Sequence, residues 1–168
     1  LAADHHQPFN GLIGNTLVTL ARRPDLLEQV QRAPALAMAL VEEVARFDAP
    51  VQNTRRFVAK RCIIGDSVLE AGDTVLVLLA SANRDPYANP HPDSLLLNRT
   101  QRRTFSFGSG RHECPGQQLA LTIAAEAILA WLHRQPTSSV RPCQWGYLRS
   151  LNGRIPQFNR DRDIHRYL

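Results

Sequence analysis

The sequence predicts a mainly α-helical chain with small β-sheets, an α+β fold. Apolar residues recur at helical spacing in four segments, residues 12–21, 25–31, 34–47 and 117–133. Between the third and fourth segments, residues 51–80 show strand-like runs separated by glycine turns. The 168-residue chain is 43% hydrophobic and 21% charged, which is typical of a globular domain with its own core.

The three helical segments at the start of the chain are separated by prolines. Pro24 ends the first helix and begins the second, because proline is tolerated in the first turn of a helix. The third helix starts at Pro34 and places Leu40 and Val44 on one face. Its Glu43 is three residues from Arg46, so the two side chains share a face and can pair.

The β-rich stretch begins after the third helix. Residues 51–58 alternate and predict a strand, and the continuous apolar run 75–80 predicts a buried strand. Gly65 and Gly72 mark turns between them. Residues 86–104 are proline-rich and lack periodicity, so we expect a long loop there.

A glycine-rich segment that ends in a lone cysteine directly precedes the fourth helix. Pro115 suits the first turn of that helix, so Cys114 is expected at the helix N-terminus. Free N–H groups and the positive end of the helix dipole favour a thiolate there, and a thiolate is a metal ligand or a nucleophile. Gly108, Gly110 and Gly116 would let the backbone approach a flat, bulky group.

The spacing of five residues resembles the haem-binding loop of the cytochrome P450 family: Phe107, Gly110, His112, Cys114 and Gly116. The resemblance implies that Cys114 is the axial ligand of the iron in haem b, that Phe107 covers the haem near the sulfur, and that His112 anchors a propionate. It also implies that residues 1–168 are the C-terminal haem-binding portion of one cytochrome P450 domain. The N-terminal part would be absent, in a partial sequence or a truncated remnant.

Further motifs extend the resemblance. Glu43 and Arg46 match the family's Glu-x-x-Arg pair, whose role is structural support. On sequence alone the pair would lie on the surface and contribute only about 0–1 kcal/mol. The position of its third partner is Ser94, for which Arg99 or His91 would substitute.

The family also carries an arginine on the first strand of this region, where it reaches a haem propionate. Counting from Gly72 favours Arg56 over Arg55, and strand alternation allows only one of them to face the haem. The alternative is that both are solvated. Residues 137–168 resemble the family's C-terminal hairpin.

The beginning of the chain departs from the family pattern. The family carries an acid and a threonine that relay protons to dioxygen, and those positions are Gln7 and Pro8 here. Glutamine is no acid near neutral pH, and proline lacks both a hydroxyl and a backbone N–H. These residues raise the alternative of a peroxide-using or oxidative-coupling enzyme.

Composition limits the classes of partner. The net charge is +5 with scattered basic residues, so we expect no nucleic-acid partner. No run of about 18 apolar residues predicts a membrane span, and no signal peptide is visible. Three widely spaced cysteines argue against a disulfide framework and fit the cytoplasm.

The leading hypothesis is therefore a monooxygenase acting on a small organic substrate with O₂, as in secondary metabolism. Electrons would come from an acidic, ferredoxin-type partner docked near Arg102, Arg103 and Arg111. Two further alternatives remain, a non-catalytic truncated fragment of the family and a zinc site using His112 and Cys114. The zinc site lacks a second ligand pair at short spacing.

Overall fold

The computed structural model describes residues 7–134 and 144–158. Its helices are α1 (Gln7–Arg22), α2 (Pro24–Arg32), α3 (Ala37–Phe47), α4 (Leu79–Ala82) and α5 (Gln117–Arg134), and short 3₁₀ turns cover Pro34–Leu36 and Gly110–His112. Its strands are β1 (Thr54–Phe57), β2 (Cys62–Ile64), β3 (Ser67–Leu69), β4 (Thr74–Val77), β5 (Trp145–Tyr147) and β6 (Pro156–Phe158). This content confirms the predicted α+β class.

Three helices form the core. α1, α3 and α5 pack against one another through side chains that include Leu12, Leu20, Leu40, Val44 and Ile128. α2 adds an amphipathic helix on the outside and buries two apolar side chains into the same cluster. The core thus fixes α3 and α5, the two helices that flank the glycine-rich segment.

α1 begins five residues earlier than the periodicity predicts, at Gln7 instead of Leu12. Pro8 lies in the first turn, where the missing N–H has no helical partner to lose. The side chains of Gln7 and Pro8 lie outside the described part of the structure.

The strands form three antiparallel pairs, β1 with β4, β2 with β3, and β5 with β6. The prediction of a buried strand over 75–80 is wrong: β4 ends at Val77, Leu76 and Leu78 are about half exposed, and Leu79 begins α4. The reason is that β4 pairs only with β1, and the face of this two-stranded sheet that carries Leu76 stays exposed. The predicted C-terminal hairpin is present as β5–β6, and its residues 137–143 and 159–168 lie outside the described residues.

The long loop is confirmed, since residues 83–109 contain neither a helix nor a strand. Leu95 and Leu97 insert into the core and hold this loop against the helices. Across residues 7–134 and 144–158, no helix combines the length and apolarity that crossing a membrane requires.

Candidate cofactor site

A cavity of about 410 Å³ lies between α1, β1 and the segment of residues 105–116, which we call the cysteine loop. Ligand pockets in proteins commonly measure roughly 300–1,000 Å³. Most of its wall is apolar. Five of the lining residues come from three separate segments of the chain: Leu12 from α1, Arg56 from β1, and Phe107, His112 and Cys114 from the cysteine loop. The fold therefore gathers the main residues of the sequence motifs around one cavity.

The cysteine loop is shaped by backbone hydrogen bonds and two glycines. The N–H of Cys114 donates to the carbonyl of Phe107 at 2.7 Å, and the N–H of Gly108 donates to Phe105 at 2.9 Å. Gly108 and Gly110 have φ of 74° and 58°, in the left-handed region. A Cβ on Gly108 would lie 2.3 Å from the carbonyl oxygen of His112, so only glycine fits there.

Cys114 lies three residues before the first residue of α5. Its carbonyl accepts from the N–H of Gln117 at 3.2 Å, which joins the loop to the helix. The side chain is a free, exposed thiol at the cavity wall. A Cβ on Gly116 would lie 3.9 Å from the sulfur, so that glycine keeps space open beside Sγ.

Arg55 and Arg56 lie on opposite faces of β1. Arg56 is partly buried at the cavity, where its Nη1 donates to Thr54 Oγ1 at 3.0 Å, whereas Arg55 is exposed. Arg56 and His112 also line a smaller neighbouring cavity of about 240 Å³. The two basic side chains therefore border the same spaces.

The Glu43–Arg46 pair is not on the surface, contrary to the expectation from sequence alone. Both side chains are 0% exposed. Arg46 binds the carboxylate through two bonds, Nη2 to Oε1 at 2.8 Å and Nε to Oε2 at 3.1 Å. The pair is buried because α3 packs under the long loop, whose residues cover it.

Arg99 is the third partner, with Nε 3.0 Å from Glu43 Oε1. Ser94 and His91 take part only through backbone carbonyls, which accept from Arg46 and Arg99 at 3.0 and 3.1 Å. The motif thus keeps a charged third member at Arg99, one of the two residues that we expected to substitute for Ser94.

Arg102 is a fourth partner that sequence reasoning missed. Its Nε lies 3.0 Å from Glu43 Oε2, and its Nη1 pairs with Glu42. The side chain is only 13% exposed, so it is not available on a docking surface as predicted. Arg103 and Arg111 are exposed.

The ionisation of Glu43 reflects two opposed effects. Burial alone would raise its pKa, but hydrogen bonds from Arg46, from the N–H of Leu96 and from Arg102, with the charge of Arg46, outweigh burial. The net result is a pKa of Glu43 below its usual value of 4.5. The carboxylate therefore stays charged at neutral pH.

The residues around the cavity fit a haem. A soft thiol donor faces an apolar space, and two basic side chains, Arg56 and His112, adjoin it. A zinc site needs further ligands, and within the described ranges no group of three or more His, Cys, Asp and Glu side chains could hold a metal ion.

Comparison with known proteins gives consistent matches. The model of the family described as "Cytochrome P450" matches residues 15–134. The "Biotin biosynthesis cytochrome P450" of Bacillus subtilis (strain 168) is 33% identical over 147 residues, which are 88% of this chain and 37% of that protein. The "6-deoxyerythronolide B hydroxylase" of Saccharopolyspora erythraea is 38% identical over 129 residues, 77% of this chain and 32% of that protein.

Solved structures agree. P450BioI in complex with an acyl carrier protein ligated to hexadec-9Z-enoic acid superposes with a TM-score of 0.82 at 31% identity, over 90% of this chain and 39% of that one. The Tepidiphilus thermophilus P450 heme domain gives 0.84 at 26% identity, over 90% and 36%. The chain thus spans between 32% and 39% of the length of these four proteins.

Proposed function

Because the chain belongs to the cytochrome P450 family, we propose that it forms the C-terminal, haem-binding portion of a bacterial-type haem-thiolate monooxygenase. The observation that carries the proposal is the position of Cys114, whose free sulfur stands at the wall of the 410 Å³ cavity beside the N-terminus of α5. A cysteine thiolate is the iron ligand of this family.

Four residues of the chain would contribute to the binding of haem b, each to a different part of the cofactor site. Cys114 would ligate the iron and donate electron density to it. Arg56 and His112 would bind the propionates, since a guanidinium matches a carboxylate with two parallel hydrogen bonds. Phe107 would shield the sulfur side from water. When bound, haem would supply the redox chemistry that inserts one oxygen atom of O₂ into a small organic substrate.

The electron donor is proposed to be an acidic, ferredoxin-type protein of the cytoplasm. Arg103 and Arg111 are exposed, Arg111 lies three residues before Cys114 in the chain, and the net charge is +5. Complementary charge mainly accelerates association, and salt screens it.

The experiment uses the full-length protein with ferredoxin, its reductase and a reduced nicotinamide cofactor, and measures electron-dependent O₂ consumption. We expect Arg103→Glu with Arg111→Glu to raise the KM for ferredoxin about tenfold or more and to leave the haem content unchanged. Arg32→Glu with Arg61→Glu, at two other exposed arginines, makes the same change in charge and is the matched control. Equal effects of both variants would contradict the docking surface, and no electron-dependent O₂ consumption would contradict the monooxygenase.

Gln7 and Pro8 favour a second candidate function, a peroxide-using or oxidative-coupling enzyme, because neither side chain can relay a proton as an acid and a threonine do. Activity with hydrogen peroxide alone would support it, and activity only with ferredoxin and O₂ would exclude it. In the monooxygenase, Gln7→Glu with Pro8→Thr should raise product formed per electron consumed. An unchanged yield would remove these positions from the relay.

A further inference from the structure

Two buried asparagines hold the part of the long loop that leads into the cysteine loop. Asn83 and Asn89 are both 0% exposed. The side chain of Asn89 accepts from the N–H of Arg103 and donates to its carbonyl, both at 2.9 Å. It also donates to the carbonyl of Asn83 at 3.2 Å, so the two asparagines form one unit.

The Asn83 amide holds the start of the cysteine loop. Its Oδ1 accepts from the N–H of Phe105 at 2.6 Å, and its Nδ2 donates to Ser106 Oγ at 2.9 Å. Ser106 Oγ in turn donates to the carbonyl of Ala45 on α3 at 2.5 Å. The backbone carbonyl of Asn83 accepts from Arg46 at 3.1 Å. Asn83 therefore connects the buried Glu43 cluster to the cysteine loop.

Two further backbone hydrogen bonds connect Phe105 to the backbone of Cys114. The carbonyl of Phe105 accepts from Gly108, which closes the turn through Phe107, and the carbonyl of Phe107 accepts from the N–H of Cys114. Both backbone polar groups of Phe105 are thus used, one by Asn83 and one by the turn. Removal of the Asn83 amide would leave the part-buried N–H of Phe105 without its partner and would take from the Ser106 hydroxyl one of its two partners, which weakens the loop locally.

We propose that Asn83 is a positioning residue that sets the backbone of the cysteine loop, and through it the place of the Cys114 sulfur. The importance of that sulfur rests on the proposed haem function. The hydrogen-bond chain itself does not involve haem, so the two proposals can be tested separately.

The test is amide hydrogen exchange at single-residue resolution on the haem-free, full-length protein. In Asn83→Ala, we expect the amides of Cys114 and Gly108 to exchange about tenfold faster or more, since loss of a buried hydrogen bond lowers the local opening free energy. Asn83→Asp keeps an oxygen that accepts from Phe105, and should restore most of the protection at Cys114.

Asn15→Ala is the matched control. Asn15 is also 0% exposed and donates to backbone carbonyls, those of Asp48 at 2.7 Å and Arg154 at 3.1 Å, and neither hydrogen bond involves the cysteine loop. A general loss of stability would speed exchange at Cys114 in both variants, whereas positioning predicts the effect in Asn83→Ala only.

Equal acceleration in the two variants, or a wild-type rate at Cys114 in Asn83→Ala, would overturn the proposal. If Asn83→Ala does not fold, Ser106→Ala decides, because it removes one partner of the amide. Faster exchange at Cys114 then supports the proposal, and an unchanged rate overturns it.

Discussion

Neighbouring arginines on β1 show how a single residue acquires its role. Sequence alternation predicts that only one of Arg55 and Arg56 faces the interior. In the structure Arg56 lines both cavities near the cysteine loop, whereas Arg55 is exposed on the other face. The two residues have the same chemistry and differ in position, so a substitution of Arg55 is a matched control for the same substitution of Arg56.

We therefore predict that Arg56→Ala increases the rate of haem loss about tenfold or more, because a charge-assisted hydrogen bond to a carboxylate contributes about 1.5–3 kcal/mol. Arg55→Ala should leave that rate within about twofold. Transfer of haem to an excess of an apo-globin acceptor measures both rates. Similar rates in the two variants would mean that Arg56 does not hold the propionate.

Residue positions that depend on local spacing could be predicted from the sequence, and those that depend on long loops could not. The motif around Cys114 is contiguous, so its spacing alone identifies it. Arg102 binds Glu43 although the two residues are 59 positions apart in the sequence, and Arg102 lies in a loop without periodicity. No local sequence pattern predicts such a contact. The burial of Glu43 was unpredictable for the same reason, since that loop covers it.

Among the helices, α3 supports both the long loop and the cysteine loop, through Glu43 and through the carbonyl of Ala45. Its Glu43 carboxylate neutralises buried Arg46 and binds Arg99 and Arg102, so one side chain on one helix turn fixes the long loop. Secondary structure type was predictable for α1, α2, α3 and α5 because their apolar periodicity is strong. The extent and exposure of β4 could not be predicted in this way, because the burial of an apolar run depends on whether another layer of the fold covers it.

Removal of that carboxylate should be strongly destabilising. We expect Glu43→Gln to lower the free energy of unfolding by about 3–5 kcal/mol, since it leaves buried guanidinium groups without a counter-charge. Urea denaturation followed by circular dichroism measures the loss. Glu28→Gln, which breaks an exposed pair with Arg32 on α2, is the control and should cost less than about 1 kcal/mol. A loss below 1 kcal/mol for Glu43→Gln would contradict the support role.

The lowered pKa of Glu43 gives a pH dependence with a defined sign. A carboxylate whose pKa is lower in the folded than in the unfolded state stabilises the fold fully above its unfolded value of 4.5. That contribution is lost as the pH falls through the folded pKa of Glu43. The difference in unfolding free energy between wild type and Glu43→Gln should therefore be constant near neutral pH and shrink below pH 4.5. A difference independent of pH over this range would argue against the charged form.

At the scale of the whole molecule, the described part leaves large apolar side chains on its surface. Phe57 is 76% exposed on the outer face of β1, Leu76 is 51% exposed beside it on β4, and Leu119 is 65% exposed on α5. The chain spans 37% of the length of its Bacillus subtilis relative. Exposed apolar patches commonly mark interaction sites, so we expect the rest of the family domain to cover these faces.

This expectation can be measured without haem. A protein extended by the upstream part of a family domain should bind less of a hydrophobic dye such as ANS and show a larger urea m-value, because it buries more surface on folding. Substitution of Leu119 by Ser should lower the stability of the extended protein by about 2 kcal/mol and change that of the 168-residue chain little. Equal changes in both proteins would show that this face stays exposed.

We propose above that Cys114 is the thiolate ligand of a haem in the cavity. The absorption difference spectrum of the reduced, haem-reconstituted full-length protein with and without carbon monoxide reports on this ligand. We expect a strongly red-shifted Soret band in the wild type and in Cys62→Ala, whose thiol is also exposed and free. We expect loss of that band in Cys114→Ala. Retention of the red-shifted band in Cys114→Ala would contradict the proposal.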